Sequence, residues 1–180
     1  TIARDITQRK RLEEEIRVAS LYARSLIEAS LDPLVTISPQ GKITDVNEAT
    51  EQATGVSRQQ LIGSDFSSYF TEPERASAGY QAVLSQGYVR DYPLTIRHVS
   101  GRTMDVLYNA TLYRNERGHP QGVFAAARDV TDRRRMEEKL RRASLYARSL
   151  IEASLDPMVT ISPEGKITDV NKATELATGV

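Results

Sequence analysis

Few side chains in this 180-residue sequence could do chemistry, and their spacing does not suit catalysis. The two histidines, His98 and His119, lack the spacing of metal ligands, and lone histidines at strand ends or in turns are usually structural. Asn109 with Asp105 and Asp129 could form a polar site, but solvent-facing strand residues and a helix cap explain them better. The absence of cysteine excludes thiolate metal sites and disulfides. We therefore expect a regulatory module without catalytic residues or a metal site.

An internal repeat organises the elements that would position such residues. Residues 3–56 and 127–180 are two versions of one segment, and 11 of their 54 paired positions differ. The run ASLYARSLIEASLDP is unchanged between residues 19–33 and 143–157. A helical segment therefore leads into a globular module, and its twin leaves that module to begin the next. This arrangement indicates transmission between modules.

Each copy of the repeat predicts an amphipathic helix with a heptad seam. The cap candidate Thr7, preceded by Asp5, and its twin Thr131, preceded by Asp129, stand before apolar or small residues at alternating steps of four and three. We expect a dimeric coiled coil, weak because each seam contains two alanines. A single amphipathic helix packed on its own domain is the alternative. The seam residues are Leu12, Ile16, Ala19, Ala23 and Leu26, then Met136, Leu140, Ala143, Ala147 and Leu150.

Between the two helices the pattern predicts an α+β fold with five antiparallel strands and the helices gathered in the middle. Asp32-Pro33 ends the first helix, because proline disfavours helical geometry in the residue before it. The predicted strands are residues 34–38, 42–46, 92–99, 103–113 and 122–129. The cap signals of the central helices are Asn47 with Gly55, Ser57 with Gln60, Thr71 with Glu74, and Gly87.

Short motifs stand in a fixed order along these elements. They are Asp32-Pro33, Gly41-Lys42-Ile43, Asn47-Glu48-Ala49, Gly55, Leu61-Ile62-Gly63, Gly101, Gly118, Gly122-Val123 and the exit from Ala127 to Thr131. This order of elements, with these motifs, resembles the PAS domain family. The resemblance implies a half-open five-stranded sheet with helices on one face. It also implies tandem units in a cytoplasmic signalling protein, most often a sensor histidine kinase. The kinase's phosphoacceptor histidine and nucleotide-binding glycines are not found in this sequence.

The resemblance divides the chain into four segments. We expect residues 1–30 to contain the exit of a preceding unit and the N-terminal signalling helix, and residues 31–131 to form the PAS domain. Residues 132–154 are then a linker signalling helix, and residues 155–180 are the truncated start of a second repeat. Asp129 and Thr131, with Asp5 and Thr7 in the first copy, form the expected signal joint.

The inner sheet face is almost wholly apolar, and we interpret it as a filled core without a cofactor. The alternative is a small apolar pocket in which Tyr108 offers a hydroxyl, lined by Ile37, Ile96, Val106, Tyr108, Ala125 and Ala127. A flavin of the LOV type is not expected, because there is no cysteine and Ile96, Val106 and Ala127 stand where those proteins carry polar groups. Haem is not expected, because the helix over residues 72–85 has no histidine.

Partners are predicted from charge and from the second repeat. Zero net charge argues against nucleic acid and anionic membranes, and no apolar run approaches the roughly 20 residues of a membrane span. Residues 155–180 lack three strands, so we expect a homodimer, either packed or exchanged, with residues 158–180 replacing 34–56. The leading hypothesis is a cytoplasmic signal-relay module beside other PAS repeats and an effector domain. The alternative is a sensor of a small apolar ligand.

Overall fold

The computed structural model describes residues 2–115 and 117–179, and of residues 2–9 the backbone alone. The chain divides into two units, Thr1–Thr131 and Asp132–Val180. The elements of the first unit are α1 (Ile2–Glu28), β1 (Leu34–Ile37), β2 (Ile43–Val46), α2 (Glu48–Thr54), α3 (Arg58–Leu61), a 3-10 helix (Phe66–Tyr69), α4 (Pro73–Gln86), β3 (Tyr88–Arg97), β4 (Thr103–Arg114) and β5 (Pro120–Asp129). Helix α5 (Thr131–Ala153) follows, and then β6 (Val159–Ile161), β7 (Ile167–Val170) and α6 (Lys172–Thr178).

The predicted α+β fold is confirmed. The five strands of the first unit form one antiparallel sheet in the order β2-β1-β5-β4-β3, so the first strand is hydrogen-bonded directly to the last. Alternate residues of the strands point to one face of the sheet, where they form one hydrophobic core with residues of the central helices. The helix that precedes β1 and the helix that follows β5 are therefore connected to two neighbouring strands at the centre of the sheet.

Strand β3 is longer than its predicted range. It begins at Tyr88, and its pairing with β4 shifts between Val89 and Tyr92. Asp91 has φ +48° within this bulge, and its backbone N–H donates to Asn109 Oδ1 at 3.0 Å. The bulge breaks the alternation of inward and outward residues, so a period-2 pattern recognises only the part of the strand beyond it.

The cap predictions were confirmed for α2 and in part elsewhere. Asn47 Oδ1 accepts from the Thr50 backbone N–H, and Gly55 ends α2 with φ +72°. The prediction for Thr71 was wrong: α4 begins at Pro73, and the Thr71 backbone N–H instead donates to the Thr95 carbonyl at 2.9 Å. Proline at the first helical position has no N–H group that needs a cap. Thr71 is therefore not required as a cap, and its backbone bonds to β3 instead.

The long helices begin differently from the prediction. Helix α1 begins at Ile2, ahead of the predicted cap Thr7, and the side chains of Asp5 and Thr7 lie outside the described residues. Helix α5 begins at Thr131, and the Thr131 backbone N–H donates to Asp129 Oδ1 at 2.8 Å. Thr131 is therefore not the cap of α5, and its hydroxyl is directed elsewhere.

The second unit repeats the opening of the first without its covering strands. Strands β6 and β7 pair as a two-stranded sheet, and α6 is capped by Asn171 as α2 is capped by Asn47. Ile161 is 62% exposed, whereas its counterpart Ile37 is fully buried. The hairpin has thus kept its local geometry while its apolar face lacks cover within this unit.

Candidate functional site

A cavity of about 40 Å³ lies between the sheet and the central helices of the first unit. Its sheet side is formed by Pro33 and by one residue from each strand, namely Val35, Ile43, Ile96, Tyr108 and Ala127. Its helical side is formed by Thr50, Thr54, Leu61, Phe66, Tyr69 and Phe70. Because a water molecule needs about 10–15 Å³ of such space, the cavity has room for about three water-sized groups.

Among the residues that line this cavity, Tyr108 differs in having a buried hydroxyl. Its side chain is 1% exposed, and its hydroxyl has no hydrogen-bond partner, which singles it out among the buried side-chain polar atoms of the described residues. Burial raises the pKa of Tyr108, and nearby Tyr80 adds to the shift, so the hydroxyl keeps its proton. Burial likewise raises the pKa of Tyr80, but its hydroxyl donates to the Ser38 carbonyl at 2.5 Å.

The predicted pocket residues are all buried in the core, but the structure separates them. Ile96, Tyr108 and Ala127 line the cavity, whereas Ile37, Val106 and Ala125 are buried in the same core and are not part of its lining. The sequence reasoning missed the helical side altogether. Phe66 begins a 3-10 helix and Phe70 follows it, and a helix this short has no clear period, although two nearby phenylalanines before α4 were a signal that could have been used.

The C-terminal junction, where β5 becomes α5, joins Asp129, Val130 and Thr131 to β4. The Thr131 hydroxyl accepts from the Asp105 backbone N–H at 2.9 Å, and the Val130 N–H donates to the Asp105 carbonyl at 2.9 Å. The Thr95 hydroxyl donates to the Asp105 carboxylate at 2.8 Å, which extends the contact to β3. The first turn of α5 is therefore fixed to the sheet by side-chain and backbone bonds together.

The N-terminal junction, where α1 leads into β1, is organised by Asn47. This fully buried amide donates from Nδ2 to the carbonyls of Ile27, Ser30 and Asp32 at 3.2, 3.4 and 3.0 Å. Its Oδ1 accepts from the Leu34 N–H at 2.8 Å, from the Thr50 N–H at 3.1 Å and from the Thr50 hydroxyl at 2.9 Å. One side chain thus connects the end of α1, the start of β1 and the first turn of α2.

A ring of four charges reinforces the N-terminal junction. Arg24 pairs with Glu28 and, at 2.5 Å, with Asp45, while Arg58 pairs with Asp45 and, at 3.3 Å, with Glu28. Glu28 also accepts from the Glu48 N–H at 2.9 Å, at the start of α2. Each side chain is about one third exposed, so the ring contributes mainly orientation and only modest stability.

The second unit builds the same junction at the end of α5. Asn171 donates to the carbonyls of Ile151 and Asp156 at 3.1 and 2.9 Å, and it accepts from the Met158 N–H at 2.8 Å. Arg148 pairs with Asp169 and, at 2.6 Å, with Glu152. The network is therefore a property of the repeated sequence.

The predicted seam residues of both helices are exposed within the single chain. Ile16 is 69% exposed and Met136 is 70% exposed, and the other large members, Leu12, Leu26, Leu140 and Leu150, are also exposed. The seam alanines Ala19, Ala23, Ala143 and Ala147 are exposed as well. These apolar stripes are available for contact with another helix.

Family comparison agrees with this architecture. A family model described as "PAS fold" matches residues 27–135, more than half of the chain, and one described as "PAS domain" matches residues 146–180. The chain belongs to the PAS family. A PAS domain from Colwellia psychrerythraea has TM-score 0.57 and 22% identity over 64% of this chain and 98% of that one. A PAS domain from a two-component sensor histidine kinase has TM-score 0.55 and 18% identity over 63% and 97%.

Curated relatives of this PAS chain are signalling kinases. Sporulation kinase E of Bacillus subtilis is 24% identical over 147 residues, which are 79% of this chain and 19% of the kinase. The cell-division control histidine kinase PdhS of Brucella ovis is 27% identical over 143 residues, which are 78% of this chain and 14% of the kinase. The chain thus spans less than a fifth of the length of these relatives, and the shared part is a regulatory, signal-sensing domain.

Within residues 2–115 and 117–179, no helix is both long and apolar enough to cross a membrane. No group of three or more histidine, aspartate or glutamate side chains in the same residues is placed to hold a metal ion.

Proposed function

We propose that this PAS domain is a dimeric relay that passes conformational change from α1 to α5 in a cytoplasmic sensor histidine kinase. The chain itself has no catalytic role in this proposal, and other PAS repeats and an effector domain belong to the parent protein. The observation that carries it is the attachment of Thr131, the first residue of α5, to Asp105 of the sheet. A change in sheet position would alter the direction of α5 through this bond.

The position of the two junctions favours such coupling. The Ala127 N–H of β5 donates to the carbonyl of Pro33, just before β1, at 2.9 Å. The incoming and outgoing segments are therefore hydrogen-bonded neighbours. In this proposal a displacement of one segment acts on the other through this bond and through the pairing of β1 with β5.

The exposed seams support pairing between two copies of the chain. Leucine, isoleucine and methionine at heptad spacing bury little surface in one chain, and a second copy presents the same stripe to them. An exchanged dimer, in which residues 158–180 replace 34–56, stays a prediction. Exchange would leave the displaced hairpin as exposed as the one that replaced it, so the helix seams supply the driving force in our proposal.

The relay is tested by comparing Thr131→Val with Thr131→Ser. Valine keeps the branched shape of threonine but removes the hydroxyl, whereas serine keeps the hydroxyl. We expect faster amide hydrogen exchange at Asp105 and in the first turn of α5 for Thr131→Val alone, together with an altered dimerisation constant in sedimentation. If both variants match the parent in exchange, helix content and dimerisation, this junction does not couple the sheet to α5.

Sensing in the core cavity is the second candidate function, and the unpaired Tyr108 hydroxyl favours it. A filled structural core would be expected to satisfy or omit such a group, because an unpaired buried polar group costs about 1–3 kcal/mol. A flavin of the LOV type and haem are not part of this proposal, since a cavity of about 40 Å³ is too small for either.

A further inference from the structure

We propose that a groove between the end of α5 and helix α6, the outer groove, is a contact surface for the same groove of a second copy of the chain. It measures about 440 Å³ and lies wholly within the second unit. The inference rests on the dimer of the proposed function, in its packed form without exchanged hairpins, and names one of its contacts. The residues of the outer groove used below are Glu152, Ala153, Leu155, Lys172, Ala173 and Leu176.

The outer groove contains two large apolar side chains that are open to solvent. Leu155, which follows α5, is 95% exposed, and Leu176 of α6 is 78% exposed. Ala153 and Ala173 lie in the same lining and add to the apolar surface. An exposed apolar patch indicates a site of contact with another protein, because removing such surface from water is favourable.

The exposure of these positions does not arise from the cover that the second unit lacks. The first unit has all five strands, and there Leu31, the counterpart of Leu155, is still 96% exposed. Gln52, the counterpart of Leu176, is exposed as well. This face therefore points away from the core in a complete unit, and packing within one unit does not explain an apolar residue on it.

The two copies of the repeat differ at this face. Lys172 stands where the first unit has Glu48, and Leu176 stands where it has Gln52, four residues on along the same side of the helix. In the first unit Gln52 donates to Glu48 at 3.1 Å, so the face is polar and acidic. Between residues 34–56 and 158–180 four positions differ, and these two substitutions are half of them; the four pairs are 34 and 158, 40 and 164, 48 and 172, and 52 and 176.

The charges beside the outer groove are complementary between two copies. Within the described part of the chain, neither Lys172 nor Asp156, which follows Leu155, forms an ion pair. A two-fold axis places the same patch of both copies face to face, so Lys172 of each can meet Asp156 of the other. The first unit has Glu48 and Asp32 at these positions, and two such patches would repel each other. Self-complementarity thus distinguishes the second unit from the first.

The position of the outer groove favours a second copy as its occupant. Leu150, the last residue of the α5 seam, is exposed and precedes the groove residue Ala153 by three positions, less than one helical turn. Two α5 helices that pair in parallel along their seams bring both grooves to the same end of the dimer, beside the two-fold axis. The groove therefore continues the surface that the proposed dimer already uses.

The test exchanges the distinguishing residues between the two units of the full chain. Lys172→Glu with Leu176→Gln gives the second unit the face of the first, which folds with these residue types. We expect this variant to dimerise about tenfold more weakly, or worse, in sedimentation equilibrium. Glu48→Lys with Gln52→Leu is the converse variant. It gives the chain a second self-complementary surface and should form assemblies larger than a dimer.

Cross-linking locates the contact directly, because the chain contains no cysteine. Leu176→Cys should give a covalent dimer with a short bismaleimide, seen on a denaturing gel. Gln52→Cys is the matched control at the equivalent exposed position of the first unit, and it should stay monomeric on the gel. Equal cross-linking at the two positions overturns the proposal. So does a parent chain that is monomeric, or unchanged dimerisation of Lys172→Glu with Leu176→Gln.

The outcome is distinguishable from that of the proposed function. If Leu140→Gln, in the α5 seam, weakens the dimer while Lys172→Glu with Leu176→Gln does not, the seam dimer stands and the outer-groove inference fails. If the groove variant weakens the dimer but Thr131→Val behaves like Thr131→Ser, the contact stands and the relay through the Thr131 junction fails.

Discussion

Asn47→Asp should detach α1 from the PAS core while leaving the cap of α2 in place. The substitution keeps the Oδ1 acceptor for the N–H groups of Leu34 and Thr50. It replaces the Nδ2 donor with an oxygen that faces the carbonyls of Ile27, Ser30 and Asp32. Three attractive contacts therefore become repulsive at a fully buried position.

The magnitude follows from the charge that is buried without a partner. The Nδ2 group has two hydrogens that are shared among the three carbonyls, and losing two neutral hydrogen bonds costs about 0.5–1.5 kcal/mol each. Leaving a buried charge uncompensated costs about 3–5 kcal/mol. Because the end of α1 can move away and admit water, we expect a loss of about 3 kcal/mol in the free energy of unfolding of the first unit. That is a large fraction of the roughly 5–15 kcal/mol that stabilises a domain.

The assay combines urea unfolding with amide hydrogen exchange, and Asn171→Asp in the second unit is the matched control. For Asn47→Asp, exchange should accelerate at the amides of Ala29 and Ser30, at the end of α1, while the Thr50 amide keeps its protection. Asn171 makes the same type of contacts at the end of α5, but within the second unit. Asn171→Asp should therefore leave the first unit unchanged. A free energy of unfolding within about 0.5 kcal/mol of the parent for Asn47→Asp would refute the reasoning. Loss of protection at Thr50 alone would also refute it.

Three more predictions concern the core and the second unit. In ligand-free buffer Tyr108→Phe should raise the free energy of unfolding by about 1 kcal/mol in urea titrations, because it removes an unpaired buried hydroxyl; a decrease would mean that the hydroxyl has a partner. Gly79→Ala should lower the free energy of unfolding by about 1–3 kcal/mol despite alanine's better helix propensity, because the new Cβ would lie 2.9 Å from the Tyr92 ring. An increase would show that the ring moves freely. Thr160→Cys with Phe124→Cys should form interchain disulfides on a non-reducing gel only if hairpins exchange. Thr36→Cys with Phe124→Cys is the intrachain control, because residues 36 and 124 are paired between β1 and β5.

The sequence predicted those features that depend on local chemistry. Asn47 was recognised as a cap because its side chain bonds a backbone group three residues on. The inward positions Ile96, Tyr108 and Ala127 followed from strand alternation. These contacts require only the period of one element or the geometry of one turn.

Features that join distant segments were not predicted. The Nδ2 contacts of Asn47 reach back to α1 across about 20 residues of chain, and no local pattern marks them. The same holds for Arg58, which meets Glu28 and Asp45 only after β1, β2 and α2 have folded. Thr131 illustrates the reverse error, since a residue type suited to capping its own helix bonds a neighbouring strand instead.

The repeat explains why the two ends of α5 are attached by different means. Its first turn is bonded to Asp105 through the hydroxyl of Thr131, whereas its last turn is bonded to Asn171 and Asp169 through the Ile151 carbonyl and Arg148. The corresponding end of α1 has the latter set of contacts with its own unit. Each unit thus holds its incoming helix with an amide and an arginine, and the first unit holds its outgoing helix with a threonine. We therefore expect a helix bonded at both ends in this way to transmit a displacement in the proposed relay, because neither junction can absorb it without breaking side-chain hydrogen bonds.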